Sequence, residues 1–119
     1  MHIINAMETI GKQLGLELKL DDNGVCSLNV GDTGSLFIER SEDTLAVSFA
    51  KKMSSDIQPC LERGLELCHL KNEPRLGLRV GMFRDDTIVA ICKLEKHHIH
   101  AGMVDQILPY VFEVMEKIE

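Results

Sequence analysis

The chain has 119 residues, of which 45% are hydrophobic and only 4% aromatic, and its formal net charge is −6 at pH 7. This length predicts one domain over residues 1–119 with an aliphatic core, and the acidic balance argues against nucleic-acid binding, which needs a basic surface. No leader or run of about 20 apolar residues is visible, so we expect a cytoplasmic protein outside the membrane, with its four cysteines as reduced thiols.

The chain opens with a predicted helix. Residues 3–14 carry apolar side chains at intervals of three and four, the spacing of an amphipathic helix. Gly15 suits the left-handed conformation that ends many helices. After an acidic turn at residues 21–24, alternating apolar and polar residues predict a first strand over residues 25–30.

Four more strands are predicted in two groups. Residues 35–40 and 45–49 follow the first strand after short turns, and residues 76–83 and 88–94 form a later hairpin. Short turns favour antiparallel pairing. The last strand is apolar on both faces, which predicts helices on one side and another cover, such as a partner subunit, on the other.

A second helix is predicted within residues 56–70 and a third over residues 101–117. Ser55 and Gln58 fit a capping box, whereas Pro59 suits the first helical position, so two starting points remain open. The order of elements is therefore α-β-β-β-α-β-β-α. It predicts an α+β fold in which helices pack on a bent antiparallel sheet.

Few residues in this chain suggest catalysis. His97, His98 and His100 follow Cys92 and contain metal-binding groups, but their spacing matches no zinc pattern, so a simple loop is the expected structure. Paired carboxylates fall in predicted turns, where aspartate favours the turn itself. We therefore expect no enzyme, metal or cofactor; a small metal- or thiol-dependent enzyme is the alternative.

Two stretches carry a resemblance to a known family. Residues 10–16 (IGKQLGL) end a helix in a leucine-glycine-leucine step, and residues 20–28 (LDDNGVCSL) continue through an acidic turn into a strand. Together with the length and the order of elements, they resemble the class I type III secretion chaperones (the Tir-chaperone family). The likeness extends over essentially the whole chain, although the motifs are apolar patterns without a chemical signature.

The resemblance implies a homodimer without enzymatic activity. It would bind the extended N-terminal segment of a secreted effector in the bacterial cytoplasm and keep it competent for export. Components of the secretion apparatus are further partners that the resemblance allows. A regulatory adaptor, which binds another cytoplasmic protein through the same apolar surfaces, is the alternative.

The resemblance also assigns residues to two kinds of contact. Effector-binding positions lie on the first helix, just after it and on the second strand: Ile4, Met7, Leu16, Leu18, Phe37 and Ile38. Dimer contacts lie on the second helix and the strand after it: Leu61, Leu65, Cys68, Leu76, Leu78, Val80 and Met82.

Phe37 is the sharpest of these candidates, and its orientation is open. If Leu36 and Ile38 point into the core, alternation along the strand turns Phe37 outward. Alternatively, Phe37 shares the inner face with Glu39 or packs under a loop. Ile4 likewise either binds an effector or packs against its own subunit.

Overall fold

A five-stranded antiparallel sheet forms the centre of the protein. The computed structural model describes residues 8, 10–12, 15, 24–31, 34–70, 77–95 and 101–119, without the side chains of residues 70 and 101–103. The strands are β1 (Val25–Val30), β2 (Gly34–Arg40), β3 (Thr44–Lys52), β4 (Arg79–Phe83) and β5 (Thr87–Glu95). They lie in the order β1-β2-β3-β5-β4, and all neighbours are antiparallel.

Two helices pack on the same face of this sheet. Helix α1 (Ile57–Leu70) connects β3 with β4 and packs on β4, β5 and the second helix. Helix α2 (Ala101–Ile118) follows β5 and packs on β3 and β5. The predicted α+β architecture is therefore confirmed. Neither of these helices is long and apolar enough to cross a membrane, nor is any other described one.

The core lies between the helices and one face of the sheet. Alternate residues of β2, β3 and β5 are buried there, as the large–small alternation in residues 45–49 predicted. Aliphatic side chains dominate, and those without any exposed surface include Leu36, Ile38, Leu45, Val47, Ile88, Leu94, Ile107, Val111 and Ile118. Among the described residues, no polar or charged side chain is buried.

The start of the chain agrees with the predicted helix where it is described. Residues 8 and 10–12 are helical, and Ile10 is fully buried in the core. Gly15 has a φ of 70°, and its N–H donates to the carbonyl of Lys12 over 3.2 Å. This left-handed residue ends the helix as predicted, because glycine adopts positive φ without a steric penalty.

Helix α1 begins differently from either prediction. It starts at Ile57, and the carboxylate of Asp56 accepts a hydrogen bond from the N–H of Gln58 over 3.3 Å. Asp56 is therefore the capping residue, and the proposed capping box of Ser55 with Gln58 is wrong. Pro59 lies in the first helical turn, where backbone N–H groups have no partner within the helix and proline is tolerated.

Candidate protein-binding surfaces

The face of the sheet turned away from the helices carries exposed apolar side chains. Strand alternation places Phe37 on this outer face, where the residue is 39% exposed. Glu39 is exposed beside it on β2, while Leu36 is buried on the opposite face. Phe37 therefore points outward, and the alternative in which it shares the inner face with Glu39 is wrong.

Ile38 is the neighbour whose assignment the structure overturns. Its side chain has no exposed surface and belongs to the core. The prediction that Ile38 contacts an effector is therefore wrong for this conformation, because the same alternation that exposes Phe37 turns Ile38 inward.

A second exposed residue of the outer face lies close to Phe37. In the register of the sheet, Phe37 pairs with Ser48 of β3, and Ser48 pairs with Ile91 of β5 on its other side. Ile91 is 36% exposed. The sequence assignment of binding residues missed Ile91, although its signal was present: β5 is apolar on both faces, and only one face meets the helices.

Another apolar surface lies where α1 crosses the edge strand β4, and we call it the α1–β4 surface. Its two exposed members are Leu65, at 52%, and Met82, at 51%. Leu61, Cys68 and Val80 are half-buried beside them. These five residues belong to the set predicted for dimer contacts, and the structure brings them to one side of the subunit.

Leu78 does not belong to the α1–β4 surface. Its side chain has no exposed surface and packs in the core of its own subunit. The prediction that Leu78 contributes to a dimer contact is therefore wrong. The physical reason is that alternation turns Leu78, which directly precedes β4, toward the helix-covered face, where it packs within the core cluster.

Gly64 lets α1 approach β4 closely. A Cβ atom at this position would lie 2.5 Å from Cγ1 of Val80 and 3.1 Å from Cδ1 of Ile118. Such distances leave no room for a methyl group unless the neighbours shift. The glycine therefore fixes the height of α1 above the sheet and, with it, the shape of the α1–β4 surface.

Five of the predicted contact residues lie outside the described residues. They are Ile4, Met7, Leu16 and Leu18 of the effector set and Leu76 of the dimer set. The histidines at positions 97, 98 and 100 also lie outside the described residues. The expectation that they form a simple loop without a metal therefore stays a prediction from the sequence. Among the residues that the structure does describe, no group of His, Cys, Asp or Glu could hold a metal ion.

The thiol of Cys92 is a poor candidate for nucleophilic chemistry. It is fully buried, and burial raises its pKa to about 12, with a smaller contribution from Cys68. Because the thiolate is the nucleophile, a thiol with such a pKa is almost entirely unreactive at neutral pH. Burial likewise raises the pKa of Cys68.

An apolar cleft lies on the helix-covered side, between one end of the sheet and α2. Its volume is about 380 Å³, and it is lined by Val30, Phe49, Lys51, Phe112, Met115 and Glu116. The rings of Phe49 and Phe112 meet edge to face, with centroids 5.0 Å apart. The cleft is a recess distinct from both apolar surfaces, and no sequence pattern predicted it.

Comparison with known proteins gives one family and several related folds. The family model described as "Type III secretory system chaperone SycN" matches residues 2–118. No curated protein sequence matches the chain.

Three solved structures illustrate the shared fold. SycH of Yersinia pestis, crystallised with a stable fragment of YscM2, has a TM-score of 0.73 and 14% identity over 97% of this chain and 98% of its own. The HopA1–SchA chaperone–effector complex gives 0.71 and 19% over 96% and 90%. The ExoT–SpcS complex of Pseudomonas aeruginosa gives 0.66 and 14% over 96% and 94%. Identities this low establish similarity of fold alone.

Proposed function

Because the chain belongs to the SycN family of type III secretory system chaperones, we propose that it binds the N-terminal segment of a secreted effector and keeps that segment competent for export. The family match confirms the resemblance that the sequence suggested. The observation that carries the proposal is the outward-facing Phe37, a large apolar residue that is 39% exposed on the outer face of the sheet.

The solved relatives support this proposal through the partners in their crystals. SycH was crystallised with a fragment of YscM2, and the HopA1–SchA structure is a chaperone–effector complex. A chain with the same fold and with exposed apolar side chains has the means to hold a similar guest. We propose that it does so in the bacterial cytoplasm, where its family works before export.

An extended guest can be held by backbone pairing and by apolar contacts together. Among the strands that the structure describes, β1 is one edge of the sheet, and its sequence VCSLNV contains neither the proline nor the lysine that commonly protect edges. Ordering an unstructured segment costs about 2–5 kcal/mol or more, so the apolar contacts at Phe37 are needed in addition to the backbone hydrogen bonds.

We propose a homodimer formed through the α1–β4 surface. Two large apolar side chains, Leu65 and Met82, are about half exposed there, and β4 is the second edge of the sheet. A contact between two copies would bury both residues twice, since a twofold interface uses the same patch on each subunit. The β1 edge and the outer face would stay open for the guest.

The proposed activity is binding without catalysis. In the described part of the chain, no titratable group is buried, other than thiols, and the buried thiol of Cys92 has a raised pKa. Catalytic groups usually have pKa values tuned toward neutrality, and that of Cys92 moves away from it. These observations support the family assignment over a thiol-dependent enzyme.

Co-expression with candidate cargo tests the proposal. We expect the chain to co-purify with the N-terminal segment of at least one secreted protein encoded beside it, and Phe37→Asp to weaken that capture while dimerisation persists. Gln106→Asp is the control, because Gln106 is exposed on α2, away from β1, Phe37 and the α1–β4 surface, and the variant adds the same charge without removing the ring.

Two results would contradict the proposal. Capture of a regulatory protein with no capture of any secreted N-terminal segment would make the chain an adaptor. Equal capture by the wild type and by Phe37→Asp, with both proteins folded, would remove Phe37 from the binding surface.

A further inference from the structure

Gly81 lies at the centre of β4, and no described feature of its own subunit requires a glycine there. Its backbone is not in the left-handed region that favours glycine. Within the described part of the chain, a Cβ atom at this position would meet no atom within 4 Å. A glycine inside a strand weakens the strand and often marks a place where another backbone approaches closely. Because β4 is an edge of the described sheet, that backbone can belong to another chain.

Two residues of β4 direct their backbone polar groups away from the sheet. The N–H of Met53 donates to the carbonyl of Asp86 over 2.7 Å, which makes these opposite residues a hydrogen-bonded pair. Such pairs alternate along antiparallel strands, so the backbone of Ala90 bonds to β3, and its two neighbours bond to β4. By the same alternation, Val80 and Met82 direct their N–H and C=O groups to the open edge.

We propose that β4 pairs with β4 of a second copy in an antiparallel register centred on Gly81, which joins the two sheets into one. In this register Val80 exchanges backbone hydrogen bonds with Met82 of the second copy, and the two Gly81 residues meet at the twofold axis. The inference rests on the homodimer of the proposed function and deepens it. It gives the contact a register and adds Arg79, Gly81 and Phe83 to it.

The extent of β4 favours this register over the two beside it. Only residues that face the open edge can form hydrogen-bonded pairs, so the twofold axis can pass through Val80, Gly81 or Met82. An axis through Gly81 pairs all five residues of β4. An axis through Met82 would draw in Arg84, whose φ of 60° takes it out of the strand. An axis through Val80 would leave Phe83 with no strand residue opposite it.

Side chains on both faces of the joined strands complement each other. On the outer face, the exposed Arg79 lies opposite Phe83 of the second copy, which is 55% exposed. The guanidinium of Arg84 already lies 5.1 Å from the centroid of this ring, and Arg79 would add a second cation–π contact. Phe83→Asp would exchange that contact for an ion pair with Arg79. On the helix-covered face, Val80 lies opposite the exposed Met82.

The helices leave room for the joined sheet. Helix α1 packs on both β4 and β5. When each copy of α1 lies over its own pair of strands, two strand spacings of about 5 Å separate the helix axes by about 10 Å. Packed helices are usually about 8–10 Å apart, so the exposed Leu65 would contact α1 of the second copy. The strand edge and the α1–β4 surface then form one continuous interface.

Cysteine cross-linking tests the register, because a disulfide requires Cα atoms about 4.4–6.8 Å apart. The two Gly81 residues form a pair without mutual hydrogen bonds, in which Cα atoms are about 4.5 Å apart. We therefore expect Gly81→Cys to form a covalent dimer under mild oxidation, as seen by non-reducing electrophoresis. The wild type, which has four free thiols in each chain, gives the background.

Two further variants on the same strand and face make the test specific. Phe83→Cys is the matched control, because four residues, or about 14 Å along the strand, separate its two copies in this register. It should not cross-link above the background. The double variant Arg79→Cys/Phe83→Cys should cross-link, because each of its cysteines lies opposite the other across the axis. Circular dichroism establishes that each variant is folded.

A proline provides an independent measurement. Met82→Pro removes an N–H that faces the open edge, a change that an edge strand tolerates within its own subunit. Met82→Ala shortens the same side chain and keeps the N–H. We expect Met82→Pro to raise the dimer dissociation constant about tenfold or more above that of Met82→Ala, as measured by light scattering over a dilution series. Equal dissociation constants for two folded variants would contradict backbone pairing at this edge.

The outcomes separate this inference from the proposals on which it rests. A dimer in which Phe83→Cys cross-links and Gly81→Cys does not would overturn the register and leave the homodimer standing. A wild type that is monomeric at micromolar concentration would overturn both. Effector capture is measured separately by co-purification, so its failure leaves the cross-linking result intact.

Discussion

Gly64 of α1 and Val80 of β4 are in such close contact that a Cβ atom on the glycine would lie 2.5 Å from Cγ1 of the valine. The valine side chain is stiff because it branches at Cβ. The helix can therefore pack this close to the edge strand only because residue 64 has no Cβ atom. The α1–β4 surface, with Leu65 and Met82 exposed on it, depends on this contact.

Replacing Gly64 with alanine should destabilise the protein. Alanine gains about 1 kcal/mol in helix propensity, but the clash with Val80 costs about 1–3 kcal/mol, so we expect a net loss of up to about 2 kcal/mol. Urea unfolding measures it. The double variant Gly64→Ala/Val80→Ala should recover part of the loss, because the clashing methyl groups are gone. Simple additivity of the two single changes would contradict the contact.

Met82 and Phe83 are adjacent and point to opposite faces of β4, which gives a matched pair for the dimer prediction. Both are about half exposed. Met82→Asp should convert the dimer to a monomer, because it places a charge in the proposed α1–β4 contact, whereas Phe83→Asp should leave the dimer intact. Size-exclusion chromatography with light scattering measures both. Dissociation by Phe83→Asp alone would move the interface to the outer face.

Phe37 and Ile38 should respond oppositely in stability and in binding. Ile38→Ala removes a fully buried side chain and should cost about 2–5 kcal/mol in the free energy of unfolding. Phe37→Ala should cost about 1 kcal/mol or less and act mainly on cargo capture, since its ring is partly in water. Denaturant melts separate the two. A larger loss of stability from Phe37→Ala would indicate that the ring has a structural role.

Stability should decline above pH 9 because of Cys92. Its pKa is about 12 in the folded protein against an ordinary value of 9.0, so the unfolded chain loses its proton first. The raised pKa leaves stability unaffected below pH 9. Between pH 9 and 12 the free energy of unfolding should fall by at most about 1.4 kcal/mol per pH unit from this thiol. Cys92→Ala should flatten that slope; an unchanged slope would contradict the assignment.

Arg63 joins α1 to the end of α2. Its Nε donates to the carbonyl of Ile118 over 2.7 Å, and Nη2 donates to that of Glu119 over 3.4 Å. A cation at the C-terminal end of a helix also interacts favourably with its dipole. Arg63→Ala should therefore cost about 1–2 kcal/mol in thermal or urea unfolding. Arg84→Ala, at the exposed turn beside Phe83, should change stability by less than about 0.5 kcal/mol.

Much of the fold could be predicted from local patterns. The alternation in residues 45–49 and the spacing in residues 104–117 predicted which side chains are buried, because the periods of strand and helix are set by the backbone itself. The residues at which helices and strands begin and end were harder to predict. Strand β3 continues to Lys52 because its last residues pair with β5, and that pairing is a long-range contact with no local signal.

The candidate surfaces divide in the same way. The sequence alone determined that the core is aliphatic, that Phe37 points outward if its neighbours point inward, and that β5 is apolar on both faces. Only the tertiary structure decided that Ile91 lies near Phe37 across β3, that Leu78 is buried in its own subunit and that the side chain of Val80 packs directly against Gly64. These relationships join residues far apart in the chain. Periodicity reports which face of an element is apolar, whereas packing decides what that face meets.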